Sequence, residues 1–216
     1  MKSIDFYLDF VSPYAWLAFD ALPQALQGHS VHVRYRPVLL GALLQQHANP
    51  GPAGIAGKRE WTYRHASWLG HSLGCSLQMP AQHPFNPLPL LRLALRTGQG
   101  GCINRFTADA IFRHVWLGGA DALDAQRLQA LELTLAEQLR HGDAAEQAAK
   151  QALRSNTDAA AAAGVFGVPS MVLDDKLFWG LDGLPMLSAY LNGDAWFADG
   201  QWDAAADRPS GLPKRG

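Results

Sequence analysis

The chain opens with a strand that leads directly into a helix, and this order constrains the fold more than any other feature. Residues 3–10 alternate in polarity and are rich in β-forming residues, which predicts a strand. Pro13 suits the first turn of a helix, because its missing N–H costs nothing there, and we expect the helix to end near Gly28. Residues 31–35 alternate again and predict a second strand that ends before Pro37. A connection of this length favours a parallel pair of strands.

The middle of the chain changes character, because from about residue 41 to residue 163 nearly every periodic segment predicts a helix. We expect helices over 58–73, over "LLRLALRT" after Pro87 or Pro89, over 104–119, 123–140 and 143–154, and a short one in "TDAAAAAGVFG" that ends at Gly164 or Gly167. Turns rich in proline and glycine separate these segments.

Strands return near the end of the chain. The segment "SMVLDDKLFWG" predicts two short strands joined at Asp174-Asp175, "LPMLSAYL" predicts a closing helix, and we expect a loose tail over 206–216. The order β-α-β, helical block, α-β-β-α predicts an α/β fold, in which a thioredoxin-like domain carries a large all-helical insertion between its two halves. The predicted thioredoxin-like domain comprises residues 1–40 and 156–216, and the inserted helical domain comprises residues 41–155.

Composition restricts the partners. The chain has 216 residues, is 48% hydrophobic and 17% charged, and has a formal net charge of -1, so it can bury a sizeable core. It contains no cluster of Lys and Arg, which argues against a nucleic-acid or membrane partner and favours a small molecule. Asp5 and Asp9 interrupt the N-terminal apolar run, so we expect no signal peptide and a cytoplasmic location. Cys75 and Cys102 form no C-x-x-C motif and have no paired histidines nearby, so we expect free structural thiols and no metal site.

The first predicted helix begins at Ser12-Pro13-Tyr14-Ala15, where thiol oxidoreductases of this layout carry C-x-x-C. No thiol is present at this position to attack or resolve a disulfide, so disulfide exchange here is excluded. A hydroxyl beside the free N–H groups and positive dipole end of a helix can instead stabilise the thiolate of another molecule. Ser and Pro are also common helix-start residues. The motif alone therefore allows a thiolate site or a plain helix cap.

Two segments, "DFVSPYAWLA" and "GVFGVPSMVLDDKLFWGLDGL", resemble the kappa-class glutathione transferase group and, within it, the 2-hydroxychromene-2-carboxylate isomerase branch of the DsbA-like thioredoxin-fold family. The resemblance covers nearly the whole chain, with weaker matches in "NPGPAGIAGKREWTYRHASWLG" and "HPFNPLPLLRLAL". It implies a glutathione-dependent cis-trans isomerase with glutathione as cofactor, a small aromatic substrate and a homodimer. A kappa-type transferase or peroxidase that consumes glutathione, and a non-catalytic binding module of the same fold, are the alternatives.

The resemblance also implies the site residues. Ser12 would be the catalytic residue, hydrogen-bonded to the glutathione sulfur. The other implied glutathione contacts are Asn49, Lys58, the backbone at Val168-Pro169, where this fold often has a cis-proline, and Asp182; the implied substrate contacts are Tyr63, Arg64, Phe85 and Asn86. Each has a structural alternative, since Lys58 can be a solvated lysine, Asn49 a turn residue and Asp182 a helix cap.

Aromatic residues around the Lys58 helix also allow two interpretations. Trp61, Tyr63, Trp68 and Phe85 can line an aromatic substrate pocket, but their spacing fits helix packing equally well. For any single one of them we expect core packing.

The chain departs from the family pattern at two places. His65 stands where an acidic residue often follows Tyr-Arg, and Leu181 and Gly183 flank Asp182 in place of the polar neighbours of "FWGQDR". These departures affect the implied contacts to the γ-glutamyl end of glutathione and can shift substrate preference.

Overall fold

A four-stranded sheet with strand order β2-β1-β3-β4 forms the centre of the protein. In this computed structural model, which describes residues 1–207, 209 and 211, the strands are β1 (Lys2–Leu8), β2 (Val31–Pro37), β3 (Ser170–Leu173) and β4 (Lys176–Trp179). Strand β1 pairs in parallel with β2 and antiparallel with β3, which pairs antiparallel with β4. The parallel pair and the hairpin predicted from the sequence are confirmed. Of the expected tail, residues 208, 210 and 212–216 lie outside the described residues.

Helices surround the sheet and form the segment between β2 and β3. They are α1 (Pro13–Ala25), α2 (Leu40–Gln46), α3 (Lys58–Ser72), α4 (Leu88–Thr97), α5 (Arg105–Trp116), α6 (Ala125–Thr134), α7 (Asp143–Ala162), α8 (Leu184–Leu191), α9 (Ala195–Ala198) and α10 (Gln201–Ala206), with a 3-10 turn at Pro52–Gly54. The predicted helices at α1, α3, α4, α5, α6 and α8 are confirmed, whereas α2, α9 and α10 were not predicted.

Helix α7 corrects the sequence prediction, since the two helices expected between residues 143 and 163 form one helix of 20 residues. Asn156 and Thr157, where one predicted helix gave way to the next, are buried inside it and have hydrogen-bond partners. Nδ2 of Asn156 donates to the carbonyl oxygens of Pro37 (3.0 Å) and Gly101 (2.7 Å). The Thr157 hydroxyl donates to a carbonyl of the preceding helical turn. The helix therefore continues across the domain boundary predicted at residue 156.

Alternate side chains of β1 contribute to two different core clusters, which fixes the position of its C-terminal end. Ile4, Phe6 and Leu8 belong to a large cluster that includes α1, α4 and α5, and Tyr7 belongs to a smaller cluster with Val38. This alternation is the two-residue period of a strand buried on both faces. Of the residues that follow β1, Phe10 also belongs to the large cluster, which anchors the segment that leads to Ser12.

Three further features concern the kind of site the protein can form: helix hydrophobicity, potential metal ligands and cysteine reactivity. Within residues 1–207 no helix is long and apolar enough to cross a membrane. The described residues also contain no group of three or more potential metal ligands. Cys75 and Cys102 are free, and burial raises the pKa of the Cys75 thiol to about 12, which keeps it in the unreactive protonated form.

Candidate functional site

A cavity of about 950 Å³ lies where the end of β1, the start of α1, the loop before β3 and helix α3 meet. We call one side the strand wall, formed by Val11, Ser12, Val168 and Pro169. We call the other side the helix wall, formed by α3 and by Phe85 of the loop that follows it. Eight of the ten residues that the resemblance implies line this cavity, namely Ser12, Asn49, Lys58, Tyr63, Phe85, Val168, Pro169 and Asp182.

Ser12 is the N-cap of α1 and is buried in the strand wall. Its backbone is extended, with φ -95° and ψ 116°, and its Oγ accepts the N–H of Ala15 at 3.2 Å. Its hydroxyl hydrogen is directed at the carbonyl oxygen of Val168 over a long distance of 3.4 Å. Pro13 has no N–H, and no oxygen in the described part of the chain accepts the N–H of Tyr14. The helix start therefore offers a weakly engaged hydroxyl and a free amide to a ligand.

Hydrogen bonds from three directions hold the turn before Ser12 in place. The Ser12 N–H donates to the backbone carbonyl of Asp9 at 3.1 Å, and the Val11 N–H donates to Oδ1 of Asp9 at 3.1 Å. Nε2 of His83 lies 2.7 Å from the Val11 carbonyl oxygen, and because a carbonyl only accepts, Nε2 carries the hydrogen. His83 was not identified from the sequence, since its contact to Val11 joins positions 72 residues apart.

Asp9 lies beneath this turn with no exposure to solvent. Its second carboxyl oxygen accepts the N–H of Leu40 at 2.9 Å, which connects β1 to the start of α2. Burial raises the pKa of Asp9 to about 7, against the lowering effect of the N–H donors of Leu40 and Val11. The turn that carries Ser12 is therefore supported by a buried carboxyl group outside the cavity lining whose pKa is about 7.

The Val168-Pro169 peptide bond is cis, and it faces the helix start, as the thioredoxin-like layout implies. Across the described residues the Val168 N–H has no acceptor, whereas its carbonyl oxygen faces Ser12. An extended peptide placed beside Val168 would find a free backbone donor there.

Asp182 lies at the cavity after β4 and is exposed. Its side chain folds back over Gly180, where a Cβ would come within 2.2 Å of Oδ1 of Asp182 and where φ is +82°. Only glycine accommodates both the positive φ and this approach. Burial, and secondarily the negative charge of Asp182, raise the pKa of Tyr14 at the start of α1.

Asn49 and Lys58 lie at the mouth of the cavity. Oδ1 of Asn49 accepts the N–H of Gly51 at 2.9 Å, so this residue has the turn role that was one alternative, and it also lines the cavity. Lys58 opens α3 and is exposed, and within the described part of the chain its ammonium group forms no ion pair. The neighbouring Arg59 is paired with Glu60 at 2.9 Å.

The implied substrate residues divide into two groups. Tyr63 and Phe85 line the cavity, and the Tyr63 hydroxyl donates to the carbonyl oxygen of His83 at 2.8 Å. Arg64 is exposed and does not line the cavity. Asn86 is also outside it, and its Oδ1 accepts the N–H of Leu88 at the start of α4.

The expectation of core packing for the α3 tryptophans is wrong. The exposed fractions of Trp61 and Trp68 are 62% and 61%, and Trp61 lines the cavity. Both indoles stack on the imidazole of His65, whose Nδ1 lies 3.0 Å from the Tyr14 hydroxyl. Neither Tyr14 nor His65 was predicted from the sequence to belong to the site. The sequence indicated their importance only indirectly, because Tyr14 directly follows Ser12-Pro13 and His65 departs from the family pattern.

These features define what the site can do chemically. The strand wall offers a hydroxyl and free amides at the positive end of α1, which suits an anion such as a thiolate. It contains no cysteine, so the thiol has to come from another molecule. The helix wall is aromatic, with a lysine at its mouth, which suits an aromatic anion. The chemistry of the two walls would thus suit a thiolate on one side of the cavity and an aromatic anion on the other.

Residues 3–192 match the family model described as DSBA-like thioredoxin domain, and the chain belongs to this family. A 2-hydroxychromene-2-carboxylate isomerase of Sphingobium xenophagum is 28% identical over 202 residues, which cover 88% of this chain and 98% of that protein. Glutathione S-transferase kappa 1 of Rattus norvegicus is 25% identical over 218 residues, covering 90% and 92%. The solved structure of a 2-hydroxychromene-2-carboxylate isomerase superposes with a TM-score of 0.69 at 24% identity, covering 92% of this chain and 98% of that one.

Proposed function

We propose that the protein is a glutathione-dependent isomerase that interconverts 2-hydroxychromene-2-carboxylate and trans-o-hydroxybenzylidenepyruvate, a step in aromatic catabolism. The observation that carries the proposal is the serine N-cap, which replaces a thiol at the start of α1 and faces a cis-proline across a cavity of about 950 Å³. The similarity to isomerases over nearly the full length of both chains supports the choice of reaction.

The cavity residues suit the chemistry of glutathione. Ser12 and the free N–H of Tyr14 would hold its sulfur, and the free backbone N–H of Val168 would pair with its peptide. Lys58 and Asn49 would hold a carboxylate and a peptide oxygen at the mouth, and the carboxylate of Asp182 would pair with the γ-glutamyl ammonium. The site thus offers partners of suitable polarity to the sulfur, the ammonium group, one carboxylate and the peptide groups of the tripeptide.

When bound, glutathione supplies a thiolate that adds to the conjugated double bond of the opened substrate, allows rotation and leaves unconsumed. Ser12 donates its hydroxyl hydrogen to the sulfur, and the dipole of α1 favours negative charge there. A free thiol ionises near pH 8.5, so both contributions raise the thiolate fraction at neutral pH. Tyr63 and Phe85 pack on the aromatic ring and orient it, which lowers the entropic part of the barrier. Arg64 and Asn86 lie outside the cavity, and the proposal does not use them.

A second candidate is a kappa-type glutathione transferase or peroxidase, which consumes glutathione. The similarity to glutathione S-transferase kappa 1 favours it specifically. It needs the same Ser12 site and differs in the electrophile that the helix wall accepts.

The proposal extends to the setting of the enzyme. We propose a cytoplasmic homodimer with a small aromatic substrate and no nucleic-acid or membrane partner. We also propose that the thioredoxin-like domain, residues 1–40 and 156–216, supplies the sulfur and γ-glutamyl contacts of glutathione. The inserted helical domain, residues 41–155, would supply Asn49 and Lys58 and the wall that recognises the substrate.

Calorimetry with glutathione, followed by absorbance after adding 2-hydroxychromene-2-carboxylate, tests the function. Binding, a spectral change and an unchanged free-thiol concentration are expected for an isomerase. Loss of free thiol on adding an electrophile, without isomerisation, would identify a transferase. If glutathione does not bind, Ser12 is a helix cap and the protein is a binding module of this fold.

A further inference from the structure

The hydroxyl of Tyr14 and Nδ1 of His65 lie 3.0 Å apart at the cavity. Tyr14 belongs to the first turn of α1, two residues after Ser12, and His65 lies in the middle of α3. The pair therefore connects the strand wall to the helix wall beside the thiolate site. The proposed mechanism gives neither side chain a role.

Two tryptophans hold the imidazole of His65 on its outer side. Trp61 and Trp68 lie one helical turn before and after it, with ring centroids 5.8 and 6.3 Å away and interplanar angles of 10° and 12°. The two stacked indoles restrain the plane of the imidazole ring. Both indoles are more than half exposed, and neither belongs to a hydrophobic core cluster.

The protonation state of His65 decides the direction of the hydrogen bond. Both ring nitrogens of a protonated imidazole donate, so Nδ1–H then donates to the oxygen of Tyr14. The Tyr14 hydroxyl hydrogen is then free to donate into the cavity. With a neutral imidazole, Nδ1 can accept, and the hydroxyl hydrogen turns towards His65 instead. Burial, and secondarily the charge of Asp182, raise the pKa of Tyr14, so its hydroxyl keeps its hydrogen as a donor.

The other ionisable groups at the cavity do not provide the same response. Lys58 and Arg59 face it from α3, Asp182 from the end of β4 and His83 from the loop after α3. Lysine, arginine and aspartate side chains ordinarily keep one charge state between about pH 5 and 8. Burial lowers the pKa of His83, whose Nε2–H is already engaged with Val11. Asp9, whose pKa burial raises to about 7, lies outside the cavity lining, and its side-chain hydrogen bonds go to Val11 and Leu40 and not to Tyr14 or His65. Among the described contacts at the cavity, the Tyr14–His65 hydrogen bond is therefore the one whose direction protonation of a histidine would set.

We infer that Tyr14 and His65 act as one unit, in which the Tyr14 hydroxyl donates a hydrogen bond to an oxygen anion of a 2-oxo acid substrate and protonated His65 directs that hydroxyl into the cavity. This inference rests on the proposed function for its substrate class. Tyr14 is the residue that touches the substrate, and His65 is a positioning residue.

The chemistry balances without a further reactant. As the thiolate adds to the conjugated double bond, a C–S bond forms and the π electrons move onto the 2-oxo oxygen. The Tyr14 O–H donates to that oxygen while it is negatively charged. When the C–S bond breaks, the electrons return to re-form the double bond, and no proton is consumed. A donor directed at developing charge in a closed site increases the rate more than it increases ground-state affinity.

The test compares the wild type with Tyr14→Phe, His65→Gln and the double variant. The control is His71→Gln, because His71 lies on the same helix but is exposed and does not line the cavity. With saturating glutathione we expect kcat at pH 6 to fall about tenfold in all three variants, with the double variant no worse than either single one, because the pair acts as a unit. Ionisation of Asp9 and of the glutathione thiol is common to both proteins, so the informative quantity is the ratio of the wild-type kcat to the His65→Gln kcat, which should fall between about pH 6 and 8. The glutathione Kd should stay within about twofold throughout.

A second readout needs no glutathione. Calorimetric binding of trans-o-hydroxybenzylidenepyruvate alone should weaken between pH 6 and 8 about threefold to tenfold more in the wild type than in His65→Gln. Wild-type pH dependence in His65→Gln, or an effect of both substitutions confined to the glutathione Kd, would overturn the inference. A wild type that fails to bind glutathione refutes the proposed function, whereas product binding still decides the role of Tyr14 and His65.

Discussion

The strand wall and the helix wall of the cavity enclose the same space but are built by different means. Ser12 is 6% exposed, and the turn that carries it is held by backbone hydrogen bonds and by Asp9 and His83. Trp61, on the opposite side, is 62% exposed and is held by a stack on its own helix.

This difference separates the two tasks of the site. A group that stabilises a thiolate works best when its donors are fixed before the charge forms, as on the strand wall. A surface that selects among aromatic substrates can consist of side chains on one helix, as on the helix wall. Substitutions on the strand wall should therefore change rate and stability. Substitutions on the helix wall should change affinity, with the exception of His65, which acts on the rate through Tyr14 of α1.

The largest expected effect is at Ser12. Ser12→Ala removes the hydrogen-bond donor to the sulfur, and we expect kcat to fall about 100- to 1,000-fold, the range for loss of one preorganised donor. The lost N-cap should lower the free energy of unfolding by about 1 kcal/mol. The control is Asp124→Ala, which removes the N-cap bond to the Arg127 N–H of α6, far from the cavity. It should lose similar stability and keep its activity; normal turnover by Ser12→Ala would refute the role of Ser12.

The next effect concerns Asp9 and the pH dependence of stability. Its pKa is raised from 3.8 to about 7 in the folded protein, so between these values the unfolded chain ionises while the folded acid stays protonated. Ionisation then favours the unfolded state, and this contribution should lower stability by about 2 kcal/mol from pH 5 to 7. Buried His83 and His114, whose pKa values are lowered, act in the opposite sense over this range. The informative quantity is therefore the difference between wild type and Asp9→Asn.

Urea unfolding of both proteins at several pH values measures that difference. The amide of Asp9→Asn places an NH₂ beside a backbone donor, which adds a cost that does not change with pH. We expect the stability advantage of the wild type to shrink as the pH rises from 5 to 7. Parallel pH curves for the two proteins would mean that Asp9 is ionised throughout.

On the helix wall, Lys58 and Arg64 form a matched pair. Both are exposed cations on α3, but only Lys58 lines the cavity. We expect Lys58→Met to raise the glutathione Kd about tenfold, equivalent to about 1.4 kcal/mol. Arg64→Met should leave it within about twofold. Calorimetry measures the glutathione Kd of both variants. If the two substitutions raised the Kd equally, Lys58 would act on glutathione through long-range charge and not through direct contact.

The strands and most helices were predictable because their signals are local. The period of β1, the Pro13 helix start and the Asp174-Asp175 turn each lie within a few residues of the element that they define. The continuity of α7 was not predictable, because the partners of Asn156 are Pro37 and Gly101, far away in the chain.

The residues of the site also divide into those contained in a local sequence motif and those brought together from distant parts of the chain. The Ser12 helix start and the proline facing it are contained in short motifs, so both ends of the strand wall could be predicted. The contact between Tyr14 and His65 spans 51 residues and that between Val11 and His83 spans 72. Neither produces a periodic or motif signal, and both depend on how α3 and its following loop pack against α1.

The smallest expected effect separates Asn49 from Asn86, which make the same local bond. In each, Oδ1 accepts the N–H of the residue two positions later, Gly51 and Leu88 respectively. Replacing either by Ala should cost about 0.5–1 kcal/mol of stability, the range for a lost cap of this kind. Asn49 lines the cavity and Asn86 does not, so only Asn49→Ala should also weaken glutathione binding, by a few-fold. A loss of kcat in Asn86→Ala at unchanged stability would instead show that this loop moves into the cavity to contact the substrate.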